Sequence, residues 1–348
     1  MIILSVDTSF DDTAAAVIEN LAIRSNIRFS EVSDLQIYGG VVPRLARLSH
    51  EQNLPTVVEQ ALKKAKVNLS DLDAIAVTVG PGLAIALEIG IAYAKELATK
   101  YNKPLIAVNH MEGHLLSFLA NPPKAGQPWA DQFPALAVLV SGGHTEFVYA
   151  KAIGEYEIVG QTQDDAMGEA FDKVGRMLGL GYPAGRLVEL MARKGIVGKI
   201  PFPVPMRQVK DANMSFSGLK TAASRIIEKY DKLTQQDIAD IALGFQTSAI
   251  THLIEKLEFA LKDKEVKSII LGGGVGANRE VRHALRSVAR THKIPLLVPY
   301  SQKLYTDNAA MIGVAAYFQA QANDFVTDFS TLDRQSNLSF PRRRETSI

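Results

Sequence analysis

One order of elements can be read twice along this chain: three strands, a helix, a strand, a helix and a strand. In the first half the spacing predicts strands at Ile2–Asp7 and Ala14–Glu19 and a third extended stretch near Ile27–Val32. A helix over Glu51–Lys66, a strand at Ala74–Val79, a helix over Leu83–Lys100 and a strand at Pro104–Asn109 follow. The counterparts in the second half are Pro134–Val140, Glu146–Ala152, Tyr156–Gln161, Gln236–Lys262, Lys267–Leu271, Asn278–Arg290 and Ile294–Val298. Repetition of a whole mixed unit implies two α/β lobes of common topology. Open sheets of this kind take ligands beyond the strand ends, so the polar turns there are expected to face a cleft between lobes. Residues 163–233 lack a counterpart and read as an inserted helical segment. A single large domain with a long loop there is the weaker alternative, because structureless loops of that length are rare in compact folds.

Composition narrows the function classes. At 348 residues, with 47% hydrophobic and 22% charged side chains, the chain has the make-up of a globular protein with two cores. Its apolar runs, such as Ile75–Val79 and Ala135–Val140, fall far short of the roughly 20 residues of a membrane span. The start Met1-Ile2-Ile3-Leu4 has no basic n-region, so no secretory or transit peptide is expected and a cytoplasmic enzyme is. The absence of cysteine excludes disulfides, thiolate metal sites and thiol catalysis. A net charge of +1 offers no global field for nucleic acid, which would have to find local patches. Residues 193–210, with Arg193, Lys194, Lys199, Arg207, Lys210 and no acid, and Arg342–Arg344 are two such places; a solvated loop and a frayed terminus explain them equally well.

Several turns carry chemistry. The stretch from Asp7 to Thr13 holds three carboxylates, Asp7, Asp11 and Asp12, and three hydroxyls between two strands. Its counterpart is Ser141-Gly142-Gly143-His144-Thr145, where backbone amides could approach an anion closely. Plain hairpin turns would use the same residue types, but their equivalent positions in a duplicated unit favour opposed phosphate-holding loops. Gly272–Asn278 lies between a strand and a helix and is not the dinucleotide fingerprint; Asn278 reads either as a helix N-cap or as a ligand to a nucleoside. His110 and His114 stand at i and i+4, on one helical face, where they could share a Zn²⁺ or Fe²⁺. Glu112 is displaced by one place from the H-E-x-x-H spacing of zinc proteases. Asp307 is the best candidate third ligand, a helix N-cap being its other reading. Asp164, Asp165, Glu169 and Asp172 crowd the start of another helix; Asp165 and Glu169 at i, i+4 would need solvent or a cation, and Asp172 could face a ligand.

Taken together, these motifs resemble the tRNA N6-adenosine threonylcarbamoyltransferase family, bacterial TsaD, formerly called O-sialoglycoprotein endopeptidase. The matches are GGVVP (39–43), GPGL (80–83), NHMEGH (109–114), LVSGGHTE (139–146), DDAMGEAFDK (164–173), LGLGYP (178–183), SFSGLKTA (215–222), GGGVGAN (272–278) and TDNAAMI (306–312). The resemblance implies a duplicated actin-like, Hsp70-like fold. Its first lobe would cover 1–131 with a helix at about 306–323 packing back on it; the second would cover 132–305 and its insertion, with a tail over 324–348. It implies transfer of threonylcarbamoyl from threonylcarbamoyl-AMP to N6 of the adenosine 3′ of the anticodon in tRNAs reading ANN codons. His110, His114 and Asp307 would hold one divalent ion, Fe²⁺ or Zn²⁺, with Mg²⁺ accompanying bound nucleotide. Leu139, Val140, Ser141, Gly142, Gly143, Asp172, Gly185 and Asn278 would line the substrate site, and Asp11 and Asp12 would lie near the reacting centre. TsaB-like and TsaE-like proteins are the implied partners, and no membrane is.

Three departures from the family pattern stand out. Asp7 and Phe10 replace the usual Glu and Cys of ETSCDDT, Arg44 and Leu48 interrupt the usual ELASR, and YPGGP becomes Tyr182-Pro183-Ala184-Gly185-Arg186. Ala184 would be strained if that position needs a positive φ. A metalloprotease and an inactive nucleotide-binding partner subunit are the competing readings. The displaced glutamate argues against the first, and the intact histidine pair with Asp307 against the second.

Overall fold

The structure, a computed structural model, describes residues 1–30, 43–120, 129–262 and 264–340. The GGVV of the GGVVP motif, the end of the third expected strand and the arginines 342–344 lie outside these residues. The described chain forms two compact units, one from 1–129, 153–156 and 298 onward, the other from 130–152 and 157–297.

In the first unit, β1 (Ile2–Asp7), β2 (Asp12–Glu19), β3 (Ala22–Ser30), β4 (Ala74–Gly80) and β5 (Leu105–Asn109) form a sheet in the order β3-β2-β1-β4-β5. β1 to β3 are antiparallel neighbours, and β1, β4 and β5 run parallel. Alternation splits β1 between two faces. Leu4 and Val6 join Val17, Ile75, Val77 and Leu105 in a core with α1 (Pro43–Ala65) and α2 (Ala84–Lys100). On β1 between those two, Ser5 donates 2.6 Å to the Ala309 carbonyl, at the start of the buried helix α9 (Ala309–Gln321). Every residue from Ala309 to Ala316 is buried, as expected of a helix apolar on all sides. The segment from 324 to 340 is packed down rather than frayed: Val326, Phe329, Leu332 and Leu338 lie against the core.

The second unit repeats this sheet. Its strands are β6 (Ala135–Val140), β7 (Thr145–Ala152), β8 (Glu155–Gln161), β9 (Ser268–Gly272) and β10 (Leu296–Leu297), in the order β10-β9-β6-β7-β8. Read from β6 outward, the pairings match those from β1: an antiparallel hairpin on one side, parallel strands on the other. The insertion contains α4 (Met167–Met177), α5 (Gly185–Ala192) and α6 (Ser217–Ile227), packed with the long α7 (Gln235–Lys262); α8 (Arg279–Thr291) follows β9. Phe171 and Phe245 meet edge to face with centroids 4.9 Å apart, joining α4 to α7.

Some boundaries moved. α1 begins at Pro43, two turns before the expected Glu51. That first stretch carries Arg44 and Arg47 with no acid, and Leu45 and Leu48 are exposed, so neither charge nor apolar spacing announces a helix. β3 starts at Ala22, ahead of the expected 27, and β10 shrinks to two residues after Pro295.

Candidate functional site

The first unit assembles a buried polar centre from the ends of β1 and β5 and the starts of α3 (His110–Leu116) and α9. Asn109 ends β5 and caps α3, accepting from the amides of Met111 at 2.8 Å and Glu112 at 3.2 Å. His110 therefore begins a helix at a strand's end, and His114 follows one turn later on the same face. Their rings meet edge to face, centroids 4.8 Å apart. At Gly113 a Cβ would come within 3.0 Å of the Ile312 side chain and 3.2 Å of the Met311 side chain, so α9 approaches closely here and a larger residue would have to displace those side chains.

α9 then delivers the carboxylate. Its cap is Asn308, whose Oδ1 accepts from the Met311 amide at 3.1 Å, so the N-cap reading of Asp307 is corrected: Asp307 stands one residue ahead. Asp307 Oδ1 lies 3.1 Å from His114 Nε2 and 3.5 Å from His110 Nε2. Donor atoms of all three residues fall within 4.8 Å of one another, a donor set that could hold a metal ion. Asp7 Oδ1 is 3.7 Å from His110 Nδ1. The Nδ1 atoms of both histidines are buried and have no hydrogen-bond partner. Two imidazoles and one carboxylate fit a borderline divalent cation. Burial opposes charging His110, but Asp307 and Asp7 prevail and raise it to about 10; burial and the neighbouring His110 lower His114. Burial also works against the Asp307 carboxylate, yet His110 and His114 hold it well below the usual range. The cluster is thus built to bind positive charge.

Asp12 adjoins this centre. Its Oδ2 is 3.1 Å from Arg28 Nη1, which also donates 3.0 Å to Thr306, just before Asp307. Asp12 Oδ1 is buried without a hydrogen bond, and burial, only partly offset by Arg28, raises its proton affinity. Asp11 is half-buried on the same turn. Glu112 turns away from the histidines, its Oε1 accepting 2.9 Å from the Tyr156 hydroxyl. The departure at Arg44 and Leu48 lies exposed on α1.

The other expected residues lie in the second unit. Leu139 and Val140 are buried at the end of β6; Ser141 is half-buried, and Gly142 and Gly143 are exposed with open space beside them. Gly273, at φ +89°, packs against Val140 so closely that a Cβ would strike its backbone at 2.4 Å. Asp172 Oδ1 accepts from the amides of Ala184 at 2.7 Å and Gly185 at 2.9 Å, and so fixes the turn before α5. Ala184 has φ −102°, an ordinary right-handed conformation, so its Cβ brings none of the strain expected there. Asn278 caps α8, accepting from Glu280 and Val281, and its amide donates 2.9 Å to Gln246.

The acidic run 164–172 is also clarified. α4 starts at Met167, after Asp164 and Asp165. The cation that reconciles Asp165 with Glu169 belongs to the chain: Lys173 Nζ is 2.8 Å from each. Arg28, Thr306 and Asn308 escaped the sequence reading as site residues; Asp7 was read as part of the acidic turn after the first strand, but not as a neighbour of His110.

The TsaD model, described as tRNA N6-adenosine threonylcarbamoyltransferase, matches residues 22–314. The enzyme of that name from Thermosipho melanesiensis is 44% identical over 317 residues, 91% of this chain and 94% of its own length. Its namesake from Moorella thermoacetica is 44% identical over 326 residues, 93% of each chain. Among solved structures, component A of (R)-2-hydroxyglutaryl-CoA dehydratase from Acidaminococcus fermentans superposes with a TM-score of 0.53 at 14% identity, covering 92% of this chain and 99% of its own. That likeness concerns the fold alone, the duplicated actin-like α/β architecture. With matches of this length and identity, the chain belongs to the tRNA N6-adenosine threonylcarbamoyltransferase family.

Proposed function

We propose that this chain transfers the threonylcarbamoyl group from threonylcarbamoyl-AMP to N6 of the adenosine 3′ of the anticodon in tRNAs reading ANN codons. The observation that carries this reading is the convergence of His110, His114 and Asp307, within 4.8 Å, in a chain of this family. In the reaction the N6 lone pair attacks the carbamoyl carbonyl, the bond to the AMP phosphate oxygen breaks, and one N6 proton is lost. A Zn²⁺ or Fe²⁺ held by His110, His114 and Asp307 would supply Lewis-acid polarisation of the carbonyl.

The chain's own groups divide the remaining work. Asp12, with one carboxylate oxygen buried and unpaired, is assigned to accept the N6 proton, and Arg28 positions it through its Oδ2. Asp11 is assigned to the same turn's contact with substrate. The exposed Gly142 and Gly143, with Leu139, Val140 and Ser141 behind them, are assigned to the adenylate, whose phosphate suits amides unhindered by Cβ. Asp172 and Asn278 serve by holding backbone: the first fixes Gly185, the second the start of α8. Mg²⁺ would accompany the nucleotide, and TsaB-like and TsaE-like proteins would be partners in the cytoplasm. Among the described residues no helix is long and apolar enough to cross a membrane.

The test is reconstitution with threonylcarbamoyl-AMP, an anticodon-stem tRNA and candidate partners, reading modified adenosine by mass spectrometry. His114→Ala and Asp307→Ala should lose bound metal and fall at least about 100-fold in transfer while keeping their circular dichroism. Full activity in a variant shown to be metal-free would overturn the assignment.

A further inference from the structure

Among the described helices α8 carries the largest excess of positive charge, four arginines against one acid. Arg279, His283, Arg286 and Arg290 recur at intervals of four, three and four, so they form one exposed stripe, continued beyond the helix by the exposed Lys293. The helix holds a single acid, the half-buried Glu280. Among the described residues, no side chain of Arg279, Arg286, Arg290 or Lys293 is in an ion pair. Cations without a partner carboxylate give up no existing ion pair on meeting an anion, unlike Lys173, which Asp165 and Glu169 already hold.

The stripe is extended and fixed by α5. Glu189, buried, holds Arg186 Nη1 at 2.5 Å and Arg193 Nη2 at 2.6 Å and accepts 3.1 Å from the Arg279 amide. One carboxylate thus anchors two guanidiniums and the first turn of α8. It leaves an excess positive charge there and lowers the ordering cost of a ligand contact. Arg186, 61% exposed, is one of the residues by which this chain departs from the family pattern. From Arg279 to Arg290 the helix rises about 16 Å, long enough to meet more than one phosphate of a nucleic-acid backbone.

Resting on the transferase reading, we infer that the outer face of α8, with Arg186 and Arg193 of α5, is where the second unit grips the sugar-phosphate backbone of the tRNA. Arginines at helical spacing suit phosphate oxygens, and the face needs no base-reading groups, because contacts of this kind position an RNA rather than select its sequence. A chain with a net charge of +1 has to concentrate its attraction in such a place.

The experiment is fluorescence-anisotropy titration of the full chain with an unmodified tRNA, repeated between about 50 and 200 mM salt. The variants are Arg286→Gln/Arg290→Gln, its conservative counterpart Arg286→Lys/Arg290→Lys, and Lys100→Gln as a control on the first unit. The glutamine pair should weaken binding roughly tenfold and flatten the plot of log affinity against log salt by about 1.5 to 2, one phosphate for each arginine. The lysine pair should keep the slope, and Lys100→Gln should match the parent. A parental slope in the folded glutamine pair would overturn this assignment and leave the transferase reading intact. So would tRNA binding that survives while association with an acidic partner protein is lost. Failure of the unaltered chain to bind tRNA at any salt would instead overturn the reading on which the assignment rests.

Discussion

His252 shows how one buried ring ties stability to pH. It lies on α7, wholly buried, accepts 3.2 Å from the Ser215 amide through Nε2, and faces the Phe216 ring with centroids 5.3 Å apart. Its Nδ1 is buried without a hydrogen bond. Burial and the adjacent Lys256 lower its pKa to about 4. The unfolded chain takes up that proton near 6.5, the folded one only near 4, so folding loses stability as pH falls across this window. At about 1.4 kcal/mol per unit, the loss is at most about 3 kcal/mol. His252→Gln keeps an acceptor and removes the titration. Its urea midpoint should therefore fall less than the parent's between pH 7 and pH 4.5, and parallel curves would refute this account. The metal group is the other lesson at this scale. The i, i+4 histidines were legible because helical spacing is local, whereas Asp307 was legible only as an acid at the start of an apolar helix, a place that capping would explain equally well. Arg28 was not legible, nor was the placing of Asp7 beside His110, since nothing local says that the end of β1 and the edge of β3 meet the start of α9.

Between elements, the insertion is held by polar clasps that cross long stretches of sequence. Asp164 lies ahead of α4, yet it caps α6: its carboxylate accepts from the amides of Phe216 at 2.8 Å and Ser217 at 3.2 Å and from the hydroxyls of Ser215 and Ser217. Lys256, buried on α7, likewise donates 2.7 Å to Val209 O and 3.1 Å to Asp211 O. Asp164→Ala should cost about 1 to 2 kcal/mol, the scale of a lost helix cap. The loss should appear as faster amide exchange confined to residues 215–223, with Asp164→Asn restoring part of it. Uniformly faster exchange across the second unit would mean that Asp164 does more than cap. Such clasps explain what the sequence could not disclose. Strands buried on both faces read clearly as apolar runs, so the duplicated order was visible. The acidic run read as a helix start needing solvent or a cation, but its partners were hidden, because the Ser215–Ser217 amides and Lys220, 3.6 Å from Asp165, come from another element. The first turns of α1 stayed hidden because Leu45 and Leu48 face outward.

At the scale of the whole molecule, two cores of like topology invite the question of whether they melt as one. The first is finished by its last described stretch. Beyond α9, Val326 N donates 2.9 Å to Leu105 O and Gln335 N 2.7 Å to Val79 O, while Lys95 Nζ reaches Leu332 O at 2.6 Å and Arg334 pairs with Glu88. Val326, Phe329, Leu332 and Leu338 pack, half-buried, against the core. Four half-buried apolar side chains, each stabilising by about 1 to 1.5 kcal/mol, amount to roughly 4 to 6 kcal/mol, much of a domain's margin. Chains of two units commonly leave two-state behaviour, so a single midpoint would conceal the effect. Truncation after Asn323 should lower the melting transition of the first unit, followed by exchange of amides in β4 and β5, whose carbonyls the segment binds. The amides of β6 and β9 should keep their protection to the original temperature. Loss of protection in both sheets together would mean that the two cores unfold as one cooperative body, and that the C-terminal segment stabilises the second unit as much as the first.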